Sequence, residues 1–467
     1  MTISGALSNA MTGLRAAGRG AEIVSSNISN ALTPGYGRRA LELSAAALGG
    51  SGGVRIDGVA RVVDEGIASD RRMAEAATGH ASTTAQLYSR LEDLLGTPDD
   101  ANSISARVAR FESALITAAS RPDAPERLAQ AVSDARGLAQ SISDTSAGLQ
   151  DARSRADRTI AEQVETLNTA LAQVETLNAQ ITAARVQSND TTALMDHRQQ
   201  LVDQIGALVP VRVVPRDHGQ IALYSTGGAI LLDGTAGEIG FTPVNLVTPY
   251  MSVEAGTLSG LTVNGRDLRT GSDDGALRGG ELGAQFAIRD EMAVAAQVEI
   301  DALARDLVSR FQDPAVDPSL GAGDAGLFTD EGNAFDPADE LGLALRLSVN
   351  PVVDDTQGGE TWRIRDGLGA AAPGSAGDAT LLQSLAGALT MAQPPASGSF
   401  GGASYAMIDL VSTLTADIGA SRDNAEQVLT FATTRLNELT QRQLADGVDS
   451  DDEIQRLMII EQNYAAN

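Results

Sequence analysis

Two glycine-rich stretches are the parts of this sequence that most resemble sites of chemistry. Residues 321–326 read Gly-Ala-Gly-Asp-Ala-Gly, which matches the spacing of the dinucleotide fingerprint. That fingerprint needs a strand before it and a helix after it, so that the helix N-terminus meets the pyrophosphate, and the flanking residues fit neither element. Residues 49–53 read Gly-Gly-Ser-Gly-Gly and match a nucleophile elbow, but glycines on both sides are typical of a flexible loop. We expect no cofactor and no nucleophile at either stretch.

Histidines and acidic residues do not form a site either. The chain has three histidines, which are far apart in sequence: His80, His197 and His218. None has a second histidine at the short spacing that is common in zinc sites. Four acidic residues fall close together near the end of the chain: Asp449, Asp451, Asp452 and Glu453. They lack the glycine and the terminal glutamate of a calcium loop, and the acidic first turn of a helix starting at Glu453 explains them better.

Charge, cysteine content and the lack of long apolar runs argue against several classes of protein. The 467 residues carry a formal net charge of -27, which argues against nucleic acid as a partner because phosphates need a positive surface. The chain has no cysteine, and therefore no disulfide, thiolate ligand or cysteine nucleophile. No apolar run is long enough to cross a bilayer, and the start lacks the pattern of a cleaved signal peptide. We predict a protein that is not an enzyme, holds no metal or cofactor and does not insert into membranes.

Apolar residues recur at helical spacing at both ends of the chain. The first stripe is Ile3, Leu7, Ala10, Leu14, Ala17, Ala21, Val24 and Ile28. The stripes near the end are Leu429, Ala432, Leu436 and Leu439, followed by Ile454, Leu457, Glu461 and Tyr464. Steps of three and four residues predict helices that pack along one face against a partner helix. Because chain ends usually fray unless they are tied down, we predict that these helices pair with each other and stack on copies or neighbours.

The elements between the ends alternate between helical and strand patterns. A helix predicted from Ile3 to Asn30 is stopped by Thr33, Pro34 and Gly35. A hairpin turning at Asp57-Gly58 is predicted over 54–63, a helix over 103–119 and one very long helix over 128–181. Short strands are predicted within 209–280 and at 345–349 and 362–364, a helix over 282–307 and the last helices from 405. For the apolar stripe of the long helix, packing within one domain and contact between molecules are equally good explanations.

These patterns predict an α+β multi-domain fold, in which a long coiled-coil-like helical bundle formed by both termini carries inserted, mainly β domains. We expect the terminal helices, the N-terminal hairpin and its adjoining helix in residues 1–100 with 405–467. The other predicted units are a long-helix bundle, 101–208 with 281–313, an inserted β domain, 209–280, and a partly β outer region rich in Gly, Pro and Asp, 314–404.

The segment Asn-Ile-Ser-Asn-Ala-Leu-Thr-Pro-Gly-Tyr at 27–36 closely resembles the N-terminal signature shared by bacterial flagellar rod, hook and hook-associated proteins. Other segments are similar to the hook-associated protein 1 (FlgK) family within that superfamily: 53–64, 177–181, 196–202, 280–283 with 289–290, 447–453 and 461–466. The similarity extends along nearly the whole chain. Relatives usually continue for another turn or two of helix after the last of these segments, so we expect a trimmed C-terminus.

The resemblance implies a structural junction protein of the flagellum that links hook to filament. It implies export through the flagellar type III apparatus without signal cleavage, and an extracellular location. The implied partners are copies of the chain, hook protein, hook-associated protein 3, and the flagellar export chaperone and export apparatus. A hook or distal-rod subunit is the nearest alternative, and a secreted enzyme or an adhesin is a more distant one.

Together, the stripes and the signature define a predicted assembly interface. Its residues are Ile3, Leu7, Leu14, Val24, Asn27, Ile28, Asn30, Thr33, Pro34, Gly35, Tyr36, Leu429, Leu436, Leu439, Ile454, Leu457, Glu461 and Tyr464.

Overall fold

Helices dominate the fold. The computed structural model describes residues 3–33, 35–46, 52–97 and 99–466. Its long helices are α1 Ile3–Ser29, α2 Glu65–Leu95, α3 Ile104–Ser120, α4 Pro125–Val186 and α5 Thr192–Leu208. They are followed by α6 Glu281–Ala287, α7 Ala293–Gln312, the short α8 Leu343–Arg346 and α9 Arg363–Asp366, then α10 Thr380–Thr390, α11 Met407–Ala445 and α12 Ser450–Ala466. A π-helical turn, Ile288–Met292, joins α6 to α7.

The strands form small antiparallel sheets. They are β1 Arg38–Ala45, β2 Val54–Val62, β3 Val211–Pro215, β4 Ile221–Ser225, β5 Ile230–Asp233, β6 Thr235–Ala236, β7 Ile239–Gly240, β8 Leu261–Val263, β9 Arg266–Leu268, β10 Phe328–Asp330 and β11 Leu347–Val349. Among the described residues, four separate sheets have the orders β1-β2, β3-β4-β5-β6, β7-β8-β9 and β10-β11. The strand candidates within 209–280 are confirmed, because each lies in one of the strands from β3 to β8.

The predicted hairpin turn at Asp57-Gly58 is wrong. Residues 54–62 form the single strand β2, which pairs with β1 along its length. The register places Gly58 opposite Glu42 and Ile56 opposite Leu43, so Asp57 is an extra residue in β2. That arrangement is a β-bulge, and an isolated glycine inside a strand indicates a bulge as readily as a turn.

Helices α2 and α11 pack side by side and run antiparallel. Arg422 of α11 forms a salt bridge with Glu92 near the end of α2, and Asp446 after α11 lies beside Ile67 near its start. α11 buries every seventh residue along this contact: Ile418, Ala425, Ala432 and Leu439. The small alanines allow the two helices to approach closely.

The 62-residue helix α4 contributes residues to both hydrophobic cores of the molecule. It begins with Pro125 at its first turn, where a missing N–H costs no hydrogen bond. Its first half shares a core with α3, α7 and α10, in which the rings of Phe111, Phe311 and Phe328 lie 5.2–5.8 Å apart. The predicted long helix over 128–181 is confirmed.

The second half of α4 packs against α5 and the strands β3 to β8 in a separate core. Two asparagine amides, the buried Asn178 and the half-buried Asn168, connect this half to strand backbones. Asn178 donates to the Ile221 carbonyl at 2.9 Å and accepts from the Ile221 N–H at 3.2 Å. Asn168 makes the same pair of bonds with Ile239, at 2.8 and 2.9 Å. The division into four domains stays a prediction.

A buried ion pair fixes the π-helical turn to α4. Arg289 Nη1 lies 2.7 Å from Asp157 Oδ1, and both side chains are fully buried. The Arg289 guanidinium also lies over the rings of Phe241 and Phe286, at 5.5 and 5.0 Å from their centroids. These contacts satisfy the arginine on all sides, which a buried charge requires.

Three further expectations need correction. The strand predicted at 362–364 is the helical turn α9, because short apolar runs do not distinguish strand from helix and Ile364 is buried in either form. The strand predicted at 345–349 begins only at Leu347, after α8. Helix α12 starts three residues before Glu453, because the Asp449 side chain accepts a hydrogen bond from the Asp451 N–H at 2.8 Å.

Candidate assembly site

The residues with potential for chemistry do not converge. Within the described parts of the chain, no group of three or more His, Asp and Glu side chains could hold a metal ion. Residues 321–326 form a loop, in which the Asp324 carboxylate accepts from the Gly321 N–H at 2.7 Å, and no strand precedes them. Of the serine-glycine stretch, residues 49–51 lie outside the described residues. None of the described helices is long and apolar enough to span a membrane.

The two ends of the chain meet at a cluster of polar side chains centred on Asn27. We term Asn27, Tyr36, Arg39 and Glu453 the terminal junction. Asn27 is fully buried and donates to the Arg39 carbonyl at 2.9 Å and to Glu453 Oε2 at 3.1 Å. Its carbonyl oxygen accepts from the Tyr36 hydroxyl and from the Arg39 N–H, both at 2.9 Å. One amide therefore ties α1, β1 and α12 together.

Glu453 is the member of the terminal junction that comes from the C-terminal end. Its side chain is almost completely buried. Two arginines neutralise its other oxygen, Oε1: Arg456 at 3.0 Å and Arg38 at 3.7 Å. From the sequence, Glu453 was predicted only as part of the acidic first turn of a helix, and this role was not predicted. Asn27 and Arg38 lie more than 400 residues away in sequence, so no local signal identifies these two partners.

The segment after α1 is held a second time by Asp196 of α5. The Asp196 carboxylate accepts from the Gly37 N–H at 3.0 Å and from Arg61 Nε at 2.7 Å. Gly35 has a φ of 75°, and a β-carbon there would lie 2.6 Å from Gln200 Cγ. Glycine is required at this position both by backbone conformation and by space. The Thr-Pro-Gly-Tyr signature thus leads the chain from α1 onto α5, although Pro34 itself lies outside the described residues.

Helices α1 and α12 pack against each other beyond the terminal junction. The buried residues of α1 are Ala16, Gly20, Ile23, Val24 and Asn27. A β-carbon on Gly20 would lie 3.1 Å from Ile460 Cδ1, so the glycine brings the two helices close. Since Asn27 meets Glu453 and Gly20 meets Ile460, the two helices run antiparallel.

Most apolar residues of the first turns of α1 face solvent. Ile3 is 91% exposed and Leu7 63%. On α12, large apolar side chains point in several directions: Ile454, Met458, Ile459 and Tyr464 are exposed, and Leu457 and Ile460 are half-buried. A helix that is apolar around most of its circumference is typical of a buried helix. Exposed apolar stripes on both chain ends are therefore typical of a surface that another molecule covers.

The predicted interface residues differ in their burial. Three are buried, namely Val24, Asn27 and Leu439. Seven are half-buried: Ile28, Asn30, Gly35, Tyr36, Leu429, Leu436 and Leu457. Seven are exposed: Ile3, Leu7, Leu14, Thr33, Ile454, Glu461 and Tyr464. Leu429 lines a groove between α2 and α11 together with Ala85 and Gln86, so this part of the α11 stripe faces α2 within the chain. The use of the interface between molecules stays a prediction.

Comparison with known proteins finds relatives among flagellar proteins. Residues 88–314 match the model of the flagellar hook-associated protein FlgK helical domain. Flagellar hook-associated protein 1 of Bacillus subtilis is 22% identical over 471 residues, which cover 94% of this chain and 90% of that protein. The chain is similar to the flagellar hook-associated protein 1 (FlgK) family over these residues. Its Salmonella typhimurium member is 29% identical over 292 residues, which cover 59% of this chain.

The chain spans about half the length of the Salmonella relative that it matches, 51%. The flagellar hook junction protein FlgK from Burkholderia pseudomallei, a solved structure, aligns with 56% of this chain and 46% of that one, with a TM-score of 0.47 and 21% identity. The matched helical domain runs from the end of α2 to just past α7, and the terminal junction lies outside it. The names of these relatives describe flagellar structural proteins and not enzymes.

Proposed function

We propose that this protein is a structural subunit of the bacterial flagellum that joins hook to filament. The observation that carries the proposal is the terminal junction together with the exposed stripes beside it. The junction holds α1 and α12 as a pair, and the pair presents apolar residues that are exposed in one copy. A subunit whose two ends form a helical pair with exposed apolar stripes is suited to assembly into a tube wall, where neighbours bury the stripes.

The partners follow from the same proposal. Copies of this chain would form one layer through their terminal helices, with hook protein on one side and hook-associated protein 3 on the other. Export would use the flagellar type III apparatus and an export chaperone without a cleaved signal peptide. The terminal helices would line the inside of the tube, the bundle around α4 would form the next shell, and the β region would point outward.

An exposed leucine in the α1 stripe allows a direct test. Leu7 and Leu246 are equally exposed, at 63%, but Leu246 lies in the loop before β8 and outside both stripes. Placing a charge on a surface that becomes buried costs free energy, whereas a charge on a free surface costs little. We expect Leu7→Asp and Leu457→Asp to be exported but not incorporated into flagella, and Leu246→Asp to be incorporated normally.

The readouts are swimming, electron microscopy of isolated flagella and immunoblots of the culture medium. The proposal predicts that cells carrying only Leu7→Asp have hooks without filaments and release the variant into the medium. Normal filaments in that strain would contradict the proposed role of the stripe. Loss of hooks as well would instead favour a hook or distal-rod subunit.

A further inference from the structure

The elements at the two chain ends form a unit that shares no hydrophobic core with the rest of the protein. We term α1, β1, β2 and α12 the terminal unit, and the elements from α2 to α11 the body. Both hydrophobic cores lie in the body, and neither includes a described residue of the terminal unit. The chain crosses between the two parts after β2 and again after α11. At these crossings Tyr36 and Val62 face Ile67 and Gln443 across a cavity, so the packing is incomplete.

Polar contacts across this boundary converge on Asp196 of α5. Among the described residues, two salt bridges join the terminal unit to elements beyond the adjoining start of α2, and both end on Asp196. Asp196 Oδ1 lies 2.7 Å from Arg61 Nε, and Oδ2 lies 3.4 Å from Arg39 Nη2. The same buried carboxylate accepts from the Gly37 N–H at 3.0 Å. One side chain therefore bonds to β1, to β2 and to the segment that leads from α1 into β1.

Helix α5 is itself fixed to the body. Its apolar side chains, among them Leu201 and Ile205, belong to the core around the second half of α4. Arg198 donates to Asn178 Oδ1 of α4 at 2.9 Å. Asp203 forms salt bridges with two arginines of α2. Asp196 thus attaches the terminal unit to a helix that α2 and α4 already hold in place.

The length of α1 makes its direction important. Two parts of a chain that lack a large apolar interface move relative to each other unless other contacts hold them. From Ile3 to Asn27 the helix is about 36 Å long. A rotation of about 10° at the junction would displace Ile3 by about 6 Å, which exceeds one helical turn of about 5.4 Å. The exposed stripe would then face different residues of a neighbouring molecule.

We propose that Asp196 is a positioning residue for assembly, which fixes the direction of the terminal unit relative to the body so that the exposed stripes of successive copies meet their neighbours in register. The proposal rests on the assembly of copies given under Proposed function. It names a residue that lies outside both stripes and acts through Gly37, Arg39 and Arg61 within its own copy.

Asp196→Ala removes these contacts, and Asp354→Ala is its matched control. Asp354 is also a buried carboxylate that pairs with an arginine of another element, Arg136 of α4, at 2.5 Å. It lies in the body, after β11, and it also accepts from the Thr356 N–H and hydroxyl at 3.0 and 2.6 Å. Since Asp354 accepts more hydrogen bonds than Asp196, the control separates a loss of direction from a loss of stability.

Spin labels measure the direction of the terminal unit. Because the chain has no cysteine, Ser8→Cys and Gln180→Cys allow two labels at exposed positions, one on α1 and one on α4. Double electron–electron resonance on the purified chain gives the distribution of distances between them. We expect a narrow distribution in the otherwise native chain and in Asp354→Ala, and one at least twice as wide in Asp196→Ala.

The same two substitutions, without labels, are then compared in cells. Cells that carry only Asp196→Ala should export the chain but incorporate at least tenfold less of it into flagella, as measured by immunoblots of isolated flagella and of the medium. Asp354→Ala should be incorporated normally, because the direction of its terminal unit is unchanged.

Several outcomes would overturn the proposal. A wide distribution in the otherwise native chain, a narrow one in Asp196→Ala, or an equal widening in Asp354→Ala would exclude the positioning role. Normal incorporation of Asp196→Ala despite a wide distribution would show that direction does not control assembly.

If Asp196→Ala does not fold, Arg61→Gln replaces it, since this variant keeps the contact of Asp196 with Gly37. We expect a wider distribution and less incorporation than in the native chain, and no change in either would overturn the proposal. All these failures leave the proposed function intact, whereas normal filaments in cells without the gene overturn the proposed function itself.

Discussion

Asn27→Ala tests the terminal junction at its centre. The substitution removes four hydrogen bonds, of which three are neutral and one involves the Glu453 carboxylate. It leaves the Arg39 N–H and the Tyr36 hydroxyl without this acceptor, while Arg38 and Arg456 still neutralise Glu453. We expect a local loss of about 3 kcal/mol, since net contributions are about 1 kcal/mol for a neutral bond and more for a charged one, and part is regained from water.

The loss of stability in Asn27→Ala should be confined to the chain ends. A change of about 3 kcal/mol in local opening corresponds to about 100-fold faster amide exchange in α12 near Glu453. Exchange in α4 should not change, because its core lies apart from the junction. Hydrogen exchange followed by mass spectrometry measures both regions in one experiment.

Asn30→Ala is the matched control for this prediction. The Asn30 side chain donates only to the Ser26 carbonyl of its own helix end, at 2.9 Å, and accepts a long bond of 3.4 Å from Thr33. We expect little change in the exchange of α12. Unchanged exchange in Asn27→Ala, or an equally large effect of Asn30→Ala, would refute the reasoning.

Three other substitutions test the packing and the charges elsewhere. Gly20→Leu should separate α1 from α12, as detected by limited proteolysis of α12, and adding Ile460→Ala should restore the contact, because the Gly20 position lies against Ile460. Asp157→Ala should lower the free energy of unfolding by about 3 kcal/mol in chemical denaturation, since it removes the buried acceptor of Arg289 Nη1 and of the Val244 N–H, while Asp290 still pairs with the guanidinium. Burial raises the pKa of Asp301 to about 6, above its unfolded value, so its charged form costs stability at neutral pH and this cost disappears as the pH falls from 6 towards 4. Relative to Asp301→Asn, the native chain should therefore gain stability between pH 7 and pH 4.5, as measured by urea denaturation.

Periodicity in the sequence was sufficient to predict the helices that position the site. The steps of the first stripe predict α1, and the stripe over 128–181 predicts most of α4. Both helices are long, and a long periodic pattern leaves little ambiguity. Asn27 and Tyr36 were also predicted as interface residues, from the signature that contains them.

Contacts between distant segments were not predictable in the same way. In the sequence, Glu453 is one of several neighbouring acidic residues. Its contacts with Asn27 and Arg38 form only in the folded chain. Asp196 was noted only as part of a segment with family resemblance, and its contacts with Gly37 and Arg61 depend on where α5 packs. The local preference of Asp57-Gly58 for a turn gave a wrong prediction. Because β2 pairs with β1 along its length, Asp57 forms a β-bulge instead.

The central claim is that this protein joins hook to filament. Electron microscopy of cells that lack the gene, with an immunoblot of the medium for filament protein, tests it most directly. The account predicts hooks without filaments and filament protein released into the medium, both reversed when the gene is restored. Filaments of normal length on cells without the gene would contradict it.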